Sequence, residues 1–148
     1  LNKFLHEIKK THTELSKKYQ KKVPLVLKIS PDIQYDDLEI LCKQMLDYEI
    51  DGVIATNTTI DKNSLSDKSF HESMGGVSGK PLYKKSNTII KDIKSMVKDD
   101  IIIIGAGGIT SKEGAVEKLN SGADLLQLYT GLVYFGLDLI REITQETT

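Results

Sequence analysis

Two patterns of apolar residues alternate along this chain. Spacings of three or four residues predict an amphipathic helix over about residues 2 to 19 and further helical stripes near 38 to 46, 89 to 97 and 115 to 119, with a last helix over 132 to 146. Between them lie short, continuous apolar runs that predict buried strands. These runs read VPLVLKIS, DGVIATNTT, IIIIG and ADLLQLYT.

The order is therefore one helix followed by four strand-helix units. Strands that are apolar throughout predict a parallel sheet covered by helices, and no linker divides residues 1–148 into two domains. Each strand ends in a polar or glycine-rich segment: KISPD, TNTT, GAGG and QLYT. Ligands bind at that edge of α/β folds, and four such endings favour a TIM (β/α)8 barrel over an open sheet. Because a closed barrel needs eight strands, this α/β chain supplies half of one.

Composition narrows the function classes. The net charge is −1 with both signs interspersed, which argues against a nucleic acid as the partner. No run is long enough for a transmembrane segment, so we expect the chain to be soluble. Cys42 falls on an apolar stripe and is expected in the core. His6, His12 and His71 stand alone, and no spacing of ligands predicts a metal site.

The cluster IIIIGAGGI raises the question of a bound cofactor. A dinucleotide fingerprint from Gly105 would need a third glycine at position 110, which is Thr110. Two interpretations remain for Gly107 and Gly108: a tight strand-to-helix turn, or a turn whose N–H groups meet an anion at a helix opened by a capping box over Thr110–Glu113. The next strand ends in Tyr129 and Thr130, so two adjacent loops could share one phosphate.

Three further features each allow a structural and a functional interpretation. Lys28 in an apolar strand either pairs with a carboxylate such as Asp32 or presents a fixed positive charge to an anion, such as a reduced cofactor ring. The polar group Asn57, Thr58 and Thr59 is either a turn or a binding edge for a polar heterocycle. GGVSGKP, at the end of a long loop over about residues 60 to 80, either approaches a ligand or is a flexible lid without contacts.

Taken in order, KISPD, TNTT, GGVSGKPL, IIIIGAGGI and QLYTGLVYFG resemble the carboxyl-terminal half of dihydroorotate dehydrogenase, most closely its quinone-using class 2. The resemblance covers about residues 20 to 140. It implies the last four βα units of an FMN-binding barrel and the oxidation of dihydroorotate to orotate in pyrimidine (UMP) biosynthesis. By this likeness the FMN-binding residues are Lys28, Thr56, Gly79, Gly108, Tyr129 and Thr130. Asn57 and Thr58 match the positions that bind orotate.

The resemblance also implies parts beyond this chain. The family's catalytic base is a serine of the first half barrel, so no catalytic residue is expected here, and the chain is expected to be inactive alone. The quinone and membrane entrance belongs to an amino-terminal segment, which would place the full-length protein peripherally on the bacterial inner membrane, at its cytoplasmic face, or on the mitochondrial one. Alternatives are a non-catalytic, phosphate-binding or self-associating half barrel, and another FMN barrel such as a dihydrouridine synthase.

Overall fold

A computed structural model describes residues 2–63, 65, 67–72 and 74–147, with the predicted elements in the predicted order. The strands are β1 (Val26–Ile29), β2 (Gly52–Ala55), β3 (Ile102–Ala106) and β4 (Leu125–Gln127). The helices are α1 (Asn2–Tyr19), α2 (Tyr35–Asp47), α3 (Tyr83–Val97), α4 (Lys112–Asn120) and α5 (Thr130–Thr147). Two short 3₁₀ helices, Lys68–Glu72 and Lys80–Leu82, interrupt the loop between β2 and α3. β1, β2 and β4 are shorter than the predicted runs, with four, four and three residues, whereas β3 has five.

All four strands are parallel and lie in sequence order, β1-β2-β3-β4. The register places Leu27 beside Val53 and Val53 beside Ile103, so side chains of one face form continuous rows across the sheet. Strict sequence order distinguishes this sheet from doubly wound folds, in which the order reverses at a switch point. The predicted fold class is confirmed: these are four consecutive βα units of barrel type.

One face of the sheet is covered by helices. Val53 and Ile103 are fully buried there, together with Ile29 and Ala55. They pack against the apolar stripes of α2 and α3, whose buried members are Leu38, Leu41, Cys42, Met45, Ile89, Ile90, Ile93 and Val97. Cys42 lies in this core as predicted, and burial raises the pKa of its thiol to about 11. This layer contains most of the molecule's buried apolar surface.

The opposite face of the sheet is open, as half of a barrel implies, so the strands that were predicted to be buried are buried on one face only. Val26, Ile102 and Leu125 lie on this face and are 37%, 46% and 56% exposed. In a closed barrel these side chains would point into the interior and pack against those of the remaining strands. The apolar composition of the strands is therefore suited to two buried faces, of which this chain covers one.

The first helix forms over the predicted residues, but its apolar stripe is mostly unpacked. Leu5 is buried, whereas Phe4, Leu15 and Tyr19 are exposed. Polar contacts attach the helix to its neighbours: Lys9 Nζ donates to the Glu49 carbonyl at 2.7 Å. The sequence predicted the amphipathic helix, and the structure shows that its apolar face extends beyond the contacts this chain provides.

Two helices differ from the prediction, α4 at its cap and α5 within its length. Ser111, not Thr110, caps α4: its backbone is extended and its hydroxyl accepts from Gly114 N at 3.2 Å. The predicted capping box is therefore wrong by one residue, because Gly114 and not a glutamate follows three residues after the cap. In α5, Gly136 has φ 64° and ψ −159°, so the last helix is kinked there.

Candidate functional site

A pocket of about 290 Å³ opens at the carboxyl edge of the sheet. It contains every predicted FMN-binding and orotate-binding residue. These residues come from β1 itself and from the segments that follow β2, β3 and β4. Its lining residues are Lys28, Thr56, Asn57, Thr58, Ser78, Gly79, Leu82, Ala106, Gly107, Gly108, Ile109, Gln127, Leu128, Tyr129, Thr130 and Gly131. Lys28 is the single charged residue among them, so the pocket presents positive charge and no carboxylate.

Lys28 lies on the open face of β1 and is exposed. Asp32, the partner that a purely structural role would need, pairs with Lys85 instead. Within the described ranges, no acceptor or carboxylate lies within bonding distance of the Lys28 ammonium. The interpretation of Lys28 as the ion-pair partner of Asp32 is therefore excluded. Its ammonium is a free positive charge at the pocket.

Asp32 fixes the loops after β1 and β2. Its carboxylate accepts from Thr59 Oγ1 at 2.5 Å, from Ile60 N at 2.9 Å and from Lys85 Nζ at 2.5 Å. Partial burial acts to raise the pKa of this carboxyl, but the bonds from Lys85, Thr59 and Ile60 outweigh it and hold the pKa below its ordinary value. An ionised Asp32 thus fixes the base of the loop that bears Asn57 and Thr58.

The residues after β2 divide into a buried anchor and an exposed rim. Thr56 is buried, and its N–H donates to the Ala106 carbonyl at 3.0 Å, which joins the ends of β2 and β3. Asn57 N donates to the Ile29 carbonyl at 2.7 Å, while Asn57 Oδ1 accepts from Thr58 N at 2.9 Å. Both Asn57 and Thr58 are exposed at the mouth of the pocket, as a substrate-contacting role requires.

The glycine-rich end of the long loop is attached to the pocket. Val77 pairs with Thr59 through two backbone hydrogen bonds of 2.7 and 3.1 Å. Gly79 is buried with φ 78°, and a Cβ there would lie 3.0 Å from Thr130 Cγ2. A lid without contacts is therefore excluded for residues 76–81. Ser64, Ser66 and Ser73 of the predicted loop lie outside the described residues, as do Leu1 and Thr148 of the predicted domain.

The Gly107-Gly108 turn has positive φ at both residues, 105° and 75°. A Cβ on Gly108 would lie 2.5 to 2.8 Å from the Cβ, Cα and N atoms of Tyr83, the first residue of α3. The fold itself therefore requires glycine here, so the requirement for glycine does not by itself indicate an anion site. Among the described residues, no protein acceptor takes the Gly108 N–H, which remains available to a ligand.

The loop after β4 supplies the second group of free donors. The N–H groups of Tyr129, Thr130 and Gly131 find no protein acceptor in the described ranges, and Thr130 Oγ1 lies 2.8 Å from Ser78 Oγ. One interpretation of the glycine turn placed an anion at the start of the helix that follows it. Ser111 and Lys112, at the start of α4, do not line the pocket, whereas Thr130 and Gly131, at the start of α5, do.

Several lining residues were not singled out from the sequence. Gln127 lies two residues before Tyr129, on the open face of β4, and the alternation of side chains along a strand could have identified it. Ser78 was within the GGVSGKP segment but was not assigned a role. The remaining apolar members, Leu82, Ala106, Ile109 and Leu128, form the floor of the pocket and give no polar pattern in the sequence.

A model of the dihydroorotate dehydrogenase family matches residues 2–148. The chain belongs to the dihydroorotate dehydrogenase family. A dihydroorotate dehydrogenase (quinone) of Acinetobacter baylyi is 40% identical over 148 residues, which are 100% of this chain and 44% of that protein. The enzyme of the same name from Buchnera aphidicola is 48% identical over 139 residues, or 94% of this chain and 41% of that protein.

Solved dihydroorotate dehydrogenase structures have the same fold. The DHODH of Eimeria tenella in complex with ferulenol superposes with a TM-score of 0.80 at 34% identity, covering 86% of this chain and 34% of that one. This chain thus spans less than half the length of the relatives that it matches. Enzymes of this family use a flavin. The four βα units observed here are therefore those of the family's barrel.

The described residues contain no group of three or more His, Cys, Asp or Glu side chains that could hold a metal ion. None of the helices formed by these residues combines the length and apolar character needed to cross a membrane.

Proposed function

We propose that residues 1–148 are the carboxyl-terminal half of a quinone-dependent dihydroorotate dehydrogenase that binds FMN. The main support is that eight residues chosen from five sequence motifs line one pocket, in a chain whose relatives in Acinetobacter baylyi and Buchnera aphidicola are named dihydroorotate dehydrogenase (quinone). The full reaction would convert dihydroorotate to orotate in the synthesis of UMP.

Features of the pocket support a flavin with one phosphate. Its lining offers the unpaired N–H groups of Gly108, Tyr129 and Thr130, which suit the three acceptor oxygens of a phosphate. It also includes Leu82, Ala106 and other apolar residues suited to a flat ring system, together with Gly79 and Thr56. A dinucleotide fingerprint would require a third glycine where this chain has Thr110.

The remaining polar residues of the pocket suit an anionic substrate and a charged ring. Asn57 and Thr58 present amide and hydroxyl groups that match the polar edge of orotate. Lys28 supplies a fixed positive charge that would stabilise negative charge as it develops nearby. When bound, FMN supplies the hydride-accepting ring. The proton lost from the neighbouring substrate carbon goes to a base, a serine that we expect outside residues 1–148.

The quinone and the membrane are proposed partners of the full-length protein alone. Its acceptor site would come from a segment amino-terminal to residue 1, which would also hold the enzyme peripherally on the inner membrane. The open sheet face, with exposed Val26, Ile102 and Leu125, is where the remaining half barrel would pack.

The decisive experiment uses the full-length protein that contains this segment. We expect the purified protein to be yellow with about one FMN per chain, as measured from the visible spectrum and by chromatography of the released flavin. Addition of dihydroorotate should bleach the flavin, and a soluble quinone should restore the colour. A well-folded full-length protein without flavin and without dihydroorotate-dependent quinone reduction would refute the proposal.

One alternative has an observation in its favour. The open apolar face and the exposed outer edges of β1 and β4 favour association of this half barrel with a second copy. Sedimentation of residues 1–148 distinguishes the two ideas: a stable, discrete dimer that binds phosphate and does not combine with the upstream half would support a self-associating half barrel. Recovery of flavin binding when the upstream half is supplied would support the enzyme.

A further inference from the structure

Lys118 is a charged residue in the core that the proposed reaction does not use. It lies on α4, is 0% exposed, and its stem crosses behind β3 at Gly105, where a Cβ would lie 2.8 Å from Lys118 Cδ. Glycine at 105 therefore makes the room that the lysine stem occupies. A buried lysine is rare unless its ammonium has a specific role or partner.

The ammonium ends a chain of hydrogen bonds that reaches the pocket wall. Lys118 Nζ donates to Ser86 Oγ at 3.0 Å and to Asn87 Oδ1 at 2.6 Å. Ser86 Oγ in turn donates to the Ala106 carbonyl at 2.5 Å, and the same carbonyl accepts from Thr56 N. Ala106 immediately precedes Gly107 and Gly108. The ammonium thus lies two hydrogen bonds behind the turn that we assign to the phosphate.

The partners of this ammonium are neutral. Ser86 and Asn87 carry no charge, and the third neighbour is the ring of Tyr83, whose centroid is 5.2 Å from Nζ. Within the described residues, Lys118 forms no ion pair with a carboxylate. Glu117 on the same helix instead accepts from the Tyr83 hydroxyl at 2.9 Å and from Asn87 Nδ2 at 3.5 Å. A buried charge without an ion-pair partner is costly, and an anion in the adjacent pocket would offset that cost.

We propose that Lys118 is a positioning residue of the phosphate site: its buried ammonium orients Ser86 and the Ala106 carbonyl behind the Gly107-Gly108 turn and supplies positive potential to the phosphate of the flavin. This inference rests on the proposed function, because it takes the ligand to be FMN. It assigns part of the affinity for the phosphate to a residue that does not touch the ligand.

Protonation of Lys118 is coupled to the contents of the pocket. Burial lowers the pKa of its ammonium to about 8, while the charge of Glu117 acts in the opposite direction. The other ionisable group facing it is the phenol of Tyr83 on α3. Beside its stem lie Gly105 of β3 and Ala123, which carry no charge. A bound phosphate dianion would raise this pKa, so binding at pH 8.5 takes up protons.

The test compares FMN with riboflavin, which lacks the phosphate, on apoprotein made from the full-length protein. In Lys118→Met, which keeps the length of the stem without the charge, we expect FMN affinity to fall about tenfold and riboflavin affinity to stay unchanged. Lys91→Met removes a lysine from the exposed side of α3 and is the matched control, with both affinities near those of the wild type. Quenching of flavin fluorescence measures all of these affinities.

A second measurement needs no variant. Calorimetry of FMN binding at pH 8.5 in buffers of different ionisation enthalpy should show net proton uptake by the wild type, since the phosphate is already a dianion above its second pKa of about 6. Riboflavin should cause none. A lysine that only fills space would move neither the proton count nor the ratio of the two affinities.

The outcomes separate the two proposals. Equal loss of FMN and riboflavin affinity in Lys118→Met, or binding of FMN at pH 8.5 without proton uptake, overturns the role of Lys118 and leaves the proposed function intact. A wild-type apoprotein that binds no flavin but is stabilised by inorganic phosphate, with the effect lost in the variant, overturns FMN and keeps the phosphate site. If the wild type binds neither, both proposals fail. Should Lys118→Met not fold, Lys118→Gln and the wild-type proton count decide.

Discussion

The two faces of the sheet present similar residues to different surroundings. On β3, Ile103 faces the helices and is fully buried, while its neighbour Ile102 faces away and is 46% exposed. Each face also has a lysine near the pocket: Lys28 is exposed on the open face, and Lys118 reaches the covered face from α4. The comparison teaches that the covered face holds this chain together, whereas the open face and its carboxyl edge hold the chemistry.

The largest expected effect is a difference in stability loss between variants of the two isoleucines on β3. Ile103→Ala should lower the free energy of unfolding of residues 1–148 by about 3 kcal/mol, because it leaves a cavity among packed helices. Ile102→Ala should cost less than about 1 kcal/mol, since its side chain is still half solvated. Urea unfolding of both variants measures the difference. Equal losses would mean that the open face is covered in solution, for example by a second copy.

The open-face lysine should affect turnover and leave stability unchanged. In the full-length protein, Lys28→Met should lower kcat for dihydroorotate oxidation about a hundredfold, because a preorganised charge is removed where negative charge develops. The midpoint of thermal unfolding should stay within about 2 °C, since Lys28 has no partner to lose. Steady-state kinetics and thermal scans test both statements, and a variant with normal kcat would remove Lys28 from the proposed mechanism.

The covered-face lysine should instead be visible in the pH dependence of folding. The pKa of Lys118 is lowered to about 8 in the folded chain and lies near its ordinary value of 10.4 in the unfolded chain. Between these pH values the unfolded state binds the extra proton, so stability rises with pH relative to Lys118→Met, by about 2 kcal/mol. Unfolding free energies at pH 7 and pH 10 check this. A constant difference between wild type and variant would show that Lys118 does not titrate in this range.

A smaller effect concerns Asp32, which lies at the carboxyl edge of the sheet. The pKa of Asp32 is held below its ordinary value, so its contribution to stability is present above about pH 4 and is lost as pH falls through the folded-state pKa. Asp32→Asn should therefore cost about 1 kcal/mol at pH 7 and little at pH 2. Asp36→Asn, an exposed carboxylate at the start of α2, serves as the control. Equal pH profiles for wild type and Asp32→Asn would contradict the bonding described for this carboxylate.

Much of the fold could be predicted from local patterns. The period of α1 and α3 and the apolar runs of β2 and β3 identified the elements and their parallel order, because helical and strand periods differ. The apolar runs alone could not reveal the open face, since an apolar strand looks the same whether one or both of its faces are covered within the chain. Only the prediction of half a barrel implied that one face would be uncovered. The Ser111 cap was missed by one residue because Thr110 and Ser111 are equally good caps.

The site shows the same division. The polar ends of the strands predicted the edge at which the pocket lies, since the carboxyl ends of parallel strands meet there. The resemblance to dihydroorotate dehydrogenase named the eight residues of that pocket. Lys118, Ser86 and Asn87 were not recognised, although Lys118 follows Ala115 by three residues on the buried side of its helix. A lysine at such a position looks like a solvated charge until its neighbours are known.

By itself, the sequence determined the helices, the strands, the parallel sheet and the edge at which ligands would bind, because these follow from the spacing of residues close along the chain. Tertiary structure decided that Asp32 pairs with Lys85 and leaves Lys28 free, that Tyr83 imposes glycine at position 108, and that Lys118 lies behind the turn. These contacts join residues far apart in the sequence, such as Asp32 and Lys85, which are separated by 53 positions. They form only after the helices have packed against the sheet, and no local pattern encodes them.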